Sequence, residues 1–412
     1  MNRHLIIADQ SLVNYMGHSF EYAHSIGAYA QSISCKVTIL ANKLVSQKVI
    51  RDINAIPCFR YGLDHSFDSP FFRTLPNNIG RKLFTEWNYR SHAQTLYLDL
   101  CNAEKLIEIN SESIVIFHTI RHNQILPIIK WAEHIPKSQC PWFVLVFHFT
   151  AYPNFSQPSE TAQFYRRALN YLENSSVRDR FCLFTDSHEL ADEYHNYTKI
   201  PVNVLPIPHA TPLEVLTNVK NVKDSSFPIR LTYVGDARTN KGFHLLPFVF
   251  NKLKSEFDNG IIEAEVQANI RTYSEWEIAL SINRMRQYKG VKLYETNLSS
   301  NDYYGLIDRA GIILLPYTLD YYHSQTSGIF CEALAYGKPV IVPRGSWMAK
   351  QLKDNGSGIT FIPEDRQSLY EAIIAAICQY KELKTVALKR SSLWQQFHCT
   401  SKYMSIIMNS IV

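Results

Sequence analysis

Short apolar runs alternate with longer amphipathic stretches along most of the chain. The first half holds HLIIA (His4–Ala8), a helical pattern from about His18, and KVTIL (Lys36–Leu40). SIVIFH (Ser113–His118), WFVLVFHF (Trp142–Phe149) and RFCLFT (Arg180–Thr185) follow. The runs beginning at Ser113 and Trp142 are almost unbroken in apolar residues, which predicts strands covered on both faces. The pattern breaks at IPVNVLPIPHATP (Ile200–Pro212) and the polar TNVKNVKDSSFP after it. Prolines fix φ and disfavour helix on their N-terminal side, so this stretch reads as an interdomain connection. A second series then starts with IRLTYV (Ile229–Val234), a helix from about Lys241, and IIEAEVQ (Ile261–Gln267). It continues with VKLYE (Val291–Glu295), GIILLP (Gly311–Pro316) and KPVIVP (Lys338–Pro343), and the C-terminal end is helical in pattern. Strand and helix periods in alternation predict parallel sheets covered by helices. The expected architecture is α/β: two doubly wound, Rossmann-like domains facing across a cleft, with ligands at the carboxyl ends of the strands.

Composition narrows this only a little. A chain of 412 residues suits about two or three domains of roughly 150 residues each. With 46% apolar and 19% charged residues it is globular rather than disordered. The net charge of +5 is mild and dispersed, so nucleic acid is not an expected partner. The densest basic stretch, IGRKLFTEWNYR (Ile79–Arg90), mixes cations with aromatics; it reads as a solvated helix face or as a membrane-surface or acceptor contact. Eight scattered cysteines without a CxxC pair form a reducing-compartment pattern. No apolar segment approaches the ~20 residues of a membrane span, so a cytoplasmic location is expected, with peripheral contact at the inner membrane face as the extension.

Two stretches concentrate candidate chemistry. In YVGDARTNKGFHLLP (Tyr233–Pro247) a strand ends at Gly235, a loop carries Arg238 and Lys241, and a helix is expected near Gly242. Two cations beside a helix N-terminus suit phosphate oxygens, although turn glycines with solvated cations explain the same residues. The stretch is not a GxxxxGK[ST] loop, and the chain's first strand does not lead into GxGxxG, which counts against an NTPase and an ordinary NAD enzyme. In TSGIFCEA, Thr326, Ser327 and Gly328 open a helix, and Glu332 stands about one turn in. Either this acid complements the positive helix end, or it accepts hydrogen bonds from paired hydroxyls such as a ribose diol.

YVGDARTNKGFHLL, followed later by AGIILLPY and SGIFCEALAYGKPVIV, resembles the donor-binding domain of GT-B glycosyltransferases, most of all the large GT4 family. The first half resembles the family more loosely, through SLVNYMGHSFEYAHSIGAYAQ after the first strand and FTDSHELADEY with VNVLPIPH at the end of the acceptor domain. The resemblance implies an acceptor-binding domain over residues 1–208 and a nucleotide-sugar domain over 209–385. C-terminal helices at 386–412 would return to the first domain. It implies that Arg238 and Lys241 bind the donor diphosphate and act in catalysis, that Glu332 takes the ribose hydroxyls, and that the amides around Thr326, Ser327 and Gly328 face the sugar or its phosphate. Gly235 and Gly17 would allow close approach to the donor. His148 would stand against the transferred sugar, and His18, Glu21 and His118 would lie towards the acceptor. The family's glutamate eight positions before Glu332 is Ser324 here, so His323 and Gln325 are the candidate substitutes. An aspartate common in the family is Gly311, and the first cation comes three residues after Gly235 rather than directly after it.

The activity implied is transfer of a sugar from a UDP- or GDP-linked donor to a hydroxyl of a glycan or lipid-linked saccharide, retaining in stereochemistry and without an obligatory metal or other cofactor. LDYY (Leu319–Tyr322) carries a lone acid, so no DxD-type metal motif is read. An inverting reaction needs a base, for which Asp9, Glu21 and His148 are candidates, and Asp186 is a further strand-end acid. The competing reading is a non-catalytic GT-B protein that binds a nucleotide sugar or glycan in a polysaccharide assembly system. An epimerase or a phosphorylase on the same fold ranks below both.

Overall fold

The computed structural model describes residues 3–15, 18–69, 71, 74, 77–151, 161–208, 228–270 and 276–411. The chain divides into two units, one of Met1–Leu205 with Thr400–Val412 and one of Pro206–Cys399.

The first unit is built on seven parallel strands: β1 (His4–Ala8), β2 (Lys36–Asn42), β3 (Ala55–Phe59), β4 (Ile114–Ile120), β5 (Trp142–Phe147), β6 (Phe181–Thr185) and β7 (Val202–Val204). Their order across the sheet is β3-β2-β1-β4-β5-β6-β7. Side chains alternate between the two faces, as the strand period of two requires. Ile6, Val115, Phe117, Leu145 and Phe147 pack under the helices Asn77–Glu104, His122–His134 and Ala162–Glu173. Leu5, Ile7, Ile116, Val144 and Val146 pack under the helix His18–Ser32 and the C-terminal helix Thr400–Asn409, which supplies Tyr403, Met404 and Ile407. Because both faces are covered, nearly every position of β1 and β5 is apolar and buried, which is why the sequence pattern finds them.

The second unit repeats the plan with β8 (Ile229–Tyr233), β9 (Ile262–Gln267), β10 (Val291–Tyr294), β11 (Ile312–Leu314), β12 (Val340–Pro343) and β13 (Gly358–Phe361), in the order β10-β9-β8-β11-β12-β13. Leu231, Tyr233, Val266 and Leu314 face the helices Leu246–Lys252 and Arg366–Cys378. Val234, Ile313 and Val342 face the helix Gly328–Ala335. The helix Tyr380–Phe397 covers that last helix, with Trp394 Nε1 donating to the Cys331 carbonyl at 3.0 Å. These are the two Rossmann-like α/β halves expected. In each sheet the order reverses once, between β1 and β4 and between β8 and β11. At such a point the loops leave in opposite directions and open a crevice for a ligand.

Several local details differ from the sequence pattern. β4 runs two residues past His118, with a register irregularity between Phe117 and Ile120, so His118 lies within the strand. β5 stops at Phe147, which places His148 in the loop beyond it. The α-helix expected from about Lys241 begins at Leu246, because two 3-10 turns, Thr239–Lys241 and Phe243–Leu245, precede it around the left-handed Gly242. Among the described residues no helix is long and apolar enough to cross a membrane.

Candidate functional site

The reversal between β8 and β11 gathers the two stretches singled out in the second unit. The chain leaves β8 through Gly235 at φ +100°, and the Gly235 amide donates to Gln267 Oε1 at the end of β9 (2.7 Å). A Cβ on Gly235 would sit 2.7 Å from Lys241 Nζ and 2.7 Å from Ile329 Cδ1. The Lys241 ammonium therefore rests on the bare backbone of Gly235, against the first turn of Gly328–Ala335. It also lies 5.7 Å from the Tyr317 ring centre. Gly242, at φ +67°, is a packing glycine: a Cβ there would fall 1.8 Å from the Pro316 carbonyl oxygen. Thr318 donates through its amide and its hydroxyl to the Asn240 carbonyl at 3.0 and 3.3 Å. The cationic loop is thus tied to the segment that follows β11.

Arg238 pairs with Asp236 at 2.6 Å, and Asp236 accepts in turn from Asn269 at 2.8 Å. The Arg238 side chain stays 37% exposed while this brace sets its direction. Ser327 caps Gly328–Ala335 by accepting from the Phe330 amide at 3.2 Å. Early amides of a helix lack intrahelical carbonyl partners and carry partial positive charge, so Lys241 and this helix start attract the same kind of ligand. Glu332, one turn along, accepts from the Tyr303 hydroxyl. Burial, followed by the charge and hydrogen bond of Glu332, holds the Tyr303 phenol well above its ordinary pKa, so it is a permanent donor. Tyr317 is fully buried, and burial first, then the nearby Tyr322, raises its phenol well above the ordinary pKa. Its ring centre lies 4.4 Å from that of Tyr322. Gly235, Arg238, Lys241, Ser327, Gly328 and Glu332 thus share one neighbourhood, with Thr326 in the turn that enters the helix.

The departures from the family pattern have local surroundings. Ser324 is buried, and His323 Nδ1 contacts the Leu319 carbonyl at 3.0 Å, within its own turn. A Cβ on Gly311 would lie 3.0 Å from the Arg230 backbone nitrogen, so β8 leaves little room for an aspartate there.

In the first unit the reversal between β1 and β4 holds one histidine–carboxylate pair, and a second lies beside it at the ends of β5 and β6. His118 Nε2 lies 2.9 Å from Asp9 Oδ2, both almost fully buried. Burial works to raise the Asp9 pKa, yet His118 and hydrogen bonds from Ser11 and Ser19 prevail and hold it below the ordinary value. His148 Nδ1 lies 2.6 Å from Asp186 Oδ2, and its Nε2 lies 2.7 Å from the His118 carbonyl oxygen. An imidazole that faces an acceptor at each nitrogen is fully satisfied only when it donates from both, which favours the imidazolium form of His148. Burial alone would lower its pKa, but the Asp186 charge and the hydrogen bonds His148 donates to that carboxylate and to the His118 carbonyl raise it. With both nitrogens committed, the ring has no lone pair to act as a base in this arrangement. Tyr22 stacks on His118 at 5.3 Å and meets His148 edge-on at 6.3 Å. Glu21, one residue earlier on His18–Ser32, is pushed up to about 7 by burial. Gly17 and the side chain of His18 lie outside the described residues.

The pattern of the sequence marked both strand-end acids and both histidines singly, but not their pairing, which depends on β1, β4, β5 and β6 being neighbours. It also missed Tyr303, Asp236, Gln267 and Tyr317. Asp236 and Tyr317 stand inside the quoted motifs. Gln267 ends a strand next to the reversal, a position worth inspecting for that reason alone.

No protein-family model matches the chain. No curated protein matches it closely enough to count as a relative. Solved structures do match over almost the whole chain. TarM is similar at a TM-score of 0.67 and 10% identity, covering 100% of this chain and 99% of its own. A sucrose-phosphate synthase from Thermosynechococcus elongatus gives 0.66 and 12%, with 99% of each chain covered. HepE from Anabaena in complex with UDP gives 0.63 and 13%, again with 99% of each covered. At such identities the likeness establishes the fold, which is GT-B.

Proposed function

We propose that this protein is a GT4-like glycosyltransferase that moves a sugar from a nucleoside-diphosphate sugar to an acceptor hydroxyl. The observation that carries the proposal is the seat of Lys241 on Gly235, against the first turn of Gly328–Ala335, with Arg238 braced nearby and Glu332 one turn further on. The departing group in such a transfer is a diphosphate, so the main catalytic task is to stabilise developing negative charge. Lys241, Arg238 and the helix amides at Ser327 and Gly328 supply that charge complement, and Glu332 takes the ribose hydroxyls. A UDP-linked donor is favoured, because HepE of the same fold is described in complex with UDP and with UDP-glucose.

The stereochemical reading is retention. His148, with its pKa raised by Asp186 and both nitrogens held by acceptors, serves as a fixed positive group rather than as a base. The acceptor is proposed to be a glycan or a lipid-linked saccharide in polysaccharide synthesis, met by the first unit near Glu21 and His118. The front of Asn77–Glu104 supports contact with an anionic membrane surface: Ile79 and Leu83 are about half exposed beside the exposed Arg81 and Lys82.

A second reading, a non-catalytic nucleotide-sugar binding protein, draws on the serine at position 324 where the family holds an acid. Incubation with UDP- and GDP-sugars, followed by assay of released nucleoside diphosphate, separates the two. Turnover of one donor, lost in an Arg238→Ala/Lys241→Ala variant, is the expected result. Tight donor binding with no release of sugar to water or to any acceptor would favour the second reading.

A further inference from the structure

Glu332 does not stand alone in its pocket. Tyr303 reaches it from a different element, the helix Ser300–Arg309, and donates to Oε2. That helix is fixed at its start: Ser299 accepts from the Asp302 amide at 3.2 Å, and the Tyr303 amide donates to the Ser299 carbonyl at 2.9 Å. The Tyr303 ring meets Tyr304 edge-on at 5.2 Å. On the other side, Glu332 belongs to a helix capped by Ser327 and clamped from behind by Trp394. The hydrogen bond therefore joins two anchored helices.

A carboxylate offers about four acceptor positions, and Tyr303 occupies one of them on Oε2. A glutamate side chain without such a tether samples several rotamers and loses that freedom when it meets a ligand. A planar carboxylate that must accept from two adjacent hydroxyls is sensitive to its rotation about the final torsion, and a donor on one oxygen fixes that rotation.

We propose that Tyr303 is a positioning residue that orients Glu332 for a vicinal diol, and so sets the preference of the site for a ribonucleotide over a deoxyribonucleotide. This rests on the assignment of Glu332 to the ribose of the donor. Tyr303 itself need not touch the nucleotide.

The test is calorimetric titration of UDP, GDP and their 2′-deoxy analogues into wild-type protein, Tyr303→Phe and Glu332→Gln. Phenylalanine keeps the ring and its packing, and equal melting temperatures verify that the fold is kept. The wild type is expected to prefer the ribonucleotide by roughly tenfold or more, the scale of a hydrogen bond to a charged group. Glu332→Gln should bring that ratio near one. Tyr303→Phe should weaken the ribonucleotide by about five- to tenfold, leave the deoxynucleotide almost unchanged, and lower the ratio accordingly. Should Tyr303→Phe keep the wild-type ratio while Glu332→Gln loses it, the positioning role is wrong and the ribose assignment stands. Tighter binding of the ribonucleotide by Tyr303→Phe would also overturn the role, since Tyr303 would then compete with the diol. If wild type and Glu332→Gln bind both sugars equally, the ribose assignment fails and takes this inference with it.

Discussion

Replacing Gly235 by alanine separates the proposed anion site from the stability of the unit that carries it. At φ +100° an L-residue is strained, a cost of order 1–3 kcal/mol. The added methyl would lie 2.7 Å from Lys241 Nζ and from Ile329 Cδ1, both far ends of flexible side chains that can move aside. Stability should therefore fall by about 1–3 kcal/mol, while the ammonium leaves its seat. One hydrogen bond from a charged group contributes about 1.5–3 kcal/mol, so affinity for a nucleoside diphosphate should drop roughly tenfold to a hundredfold. Urea unfolding reads the first quantity and calorimetric titration of UDP and GDP the second. Lys241→Ala should reproduce the loss of affinity with stability changed by less than about 0.5 kcal/mol. The double variant should bind about as weakly as either single one, because both remove one interaction. Gly242→Ala is the contrast: its methyl meets the Pro316 backbone at 1.8 Å, and neither partner can yield without moving the chain, so folding suffers more than binding. A Gly235→Ala protein that is destabilised yet binds diphosphate like the wild type would mean that Lys241 does not hold the phosphates from this seat.

Other expectations follow from single contacts. Ser327→Ala removes the cap of Gly328–Ala335 and should cost about 1 kcal/mol in urea unfolding; an unchanged midpoint would mean that the cap contributes nothing. His148, with a folded pKa raised above its ordinary 6.5, contributes stability that is complete below pH 6.5 and declines as pH rises through the folded value. The stability of wild type relative to His148→Gln should therefore shrink on going upward from pH 6.5, and Asp186→Asn should weaken that dependence; a difference independent of pH would contradict the imidazolium. Glu21, held near 7 by burial, is neutral at mildly acid pH, so the penalty of ionising it grows between pH 4.5 and about 7. Glu21→Gln should relieve that penalty, and a stability curve parallel to wild type over this window would exclude the raised pKa.

How much of this was legible in the sequence depended on burial. β1, β4, β5, β8 and β12 are central strands covered on both faces, and their apolar runs stand out. β3 and β13, both edge strands, did not: AIPCF contains a proline and GITF is short and mostly half-buried, whereas the edge strand β10 was still read as VKLYE. β7, three residues at the other edge, looked like a connection from its pattern and like a strand only through the family resemblance. In the candidate site, the residues supplied by contiguous motifs, Gly235, Arg238, Lys241, Ser327 and Glu332, could be named in advance. Their supports could not be, because Gln267, Asn269 and Tyr303 arrive from β9 and from a separate helix. The pairing of His118 with Asp9 and of His148 with Asp186 was hidden in the same way. Only strand adjacency brings residues so far apart in the chain to within 3 Å of each other.

On the proposed function, the loop Gly235–Gly242 and the start of Gly328–Ala335 together hold a diphosphate. A crystal of the protein grown with a saturating nucleoside diphosphate measures this most directly. Phosphate oxygens are expected against Lys241 Nζ and the Ser327–Gly328 amides, with the ribose hydroxyls at Glu332. A nucleotide bound elsewhere on the chain, or a Lys241–Gly235 seat left unchanged and unoccupied at saturation, would contradict it.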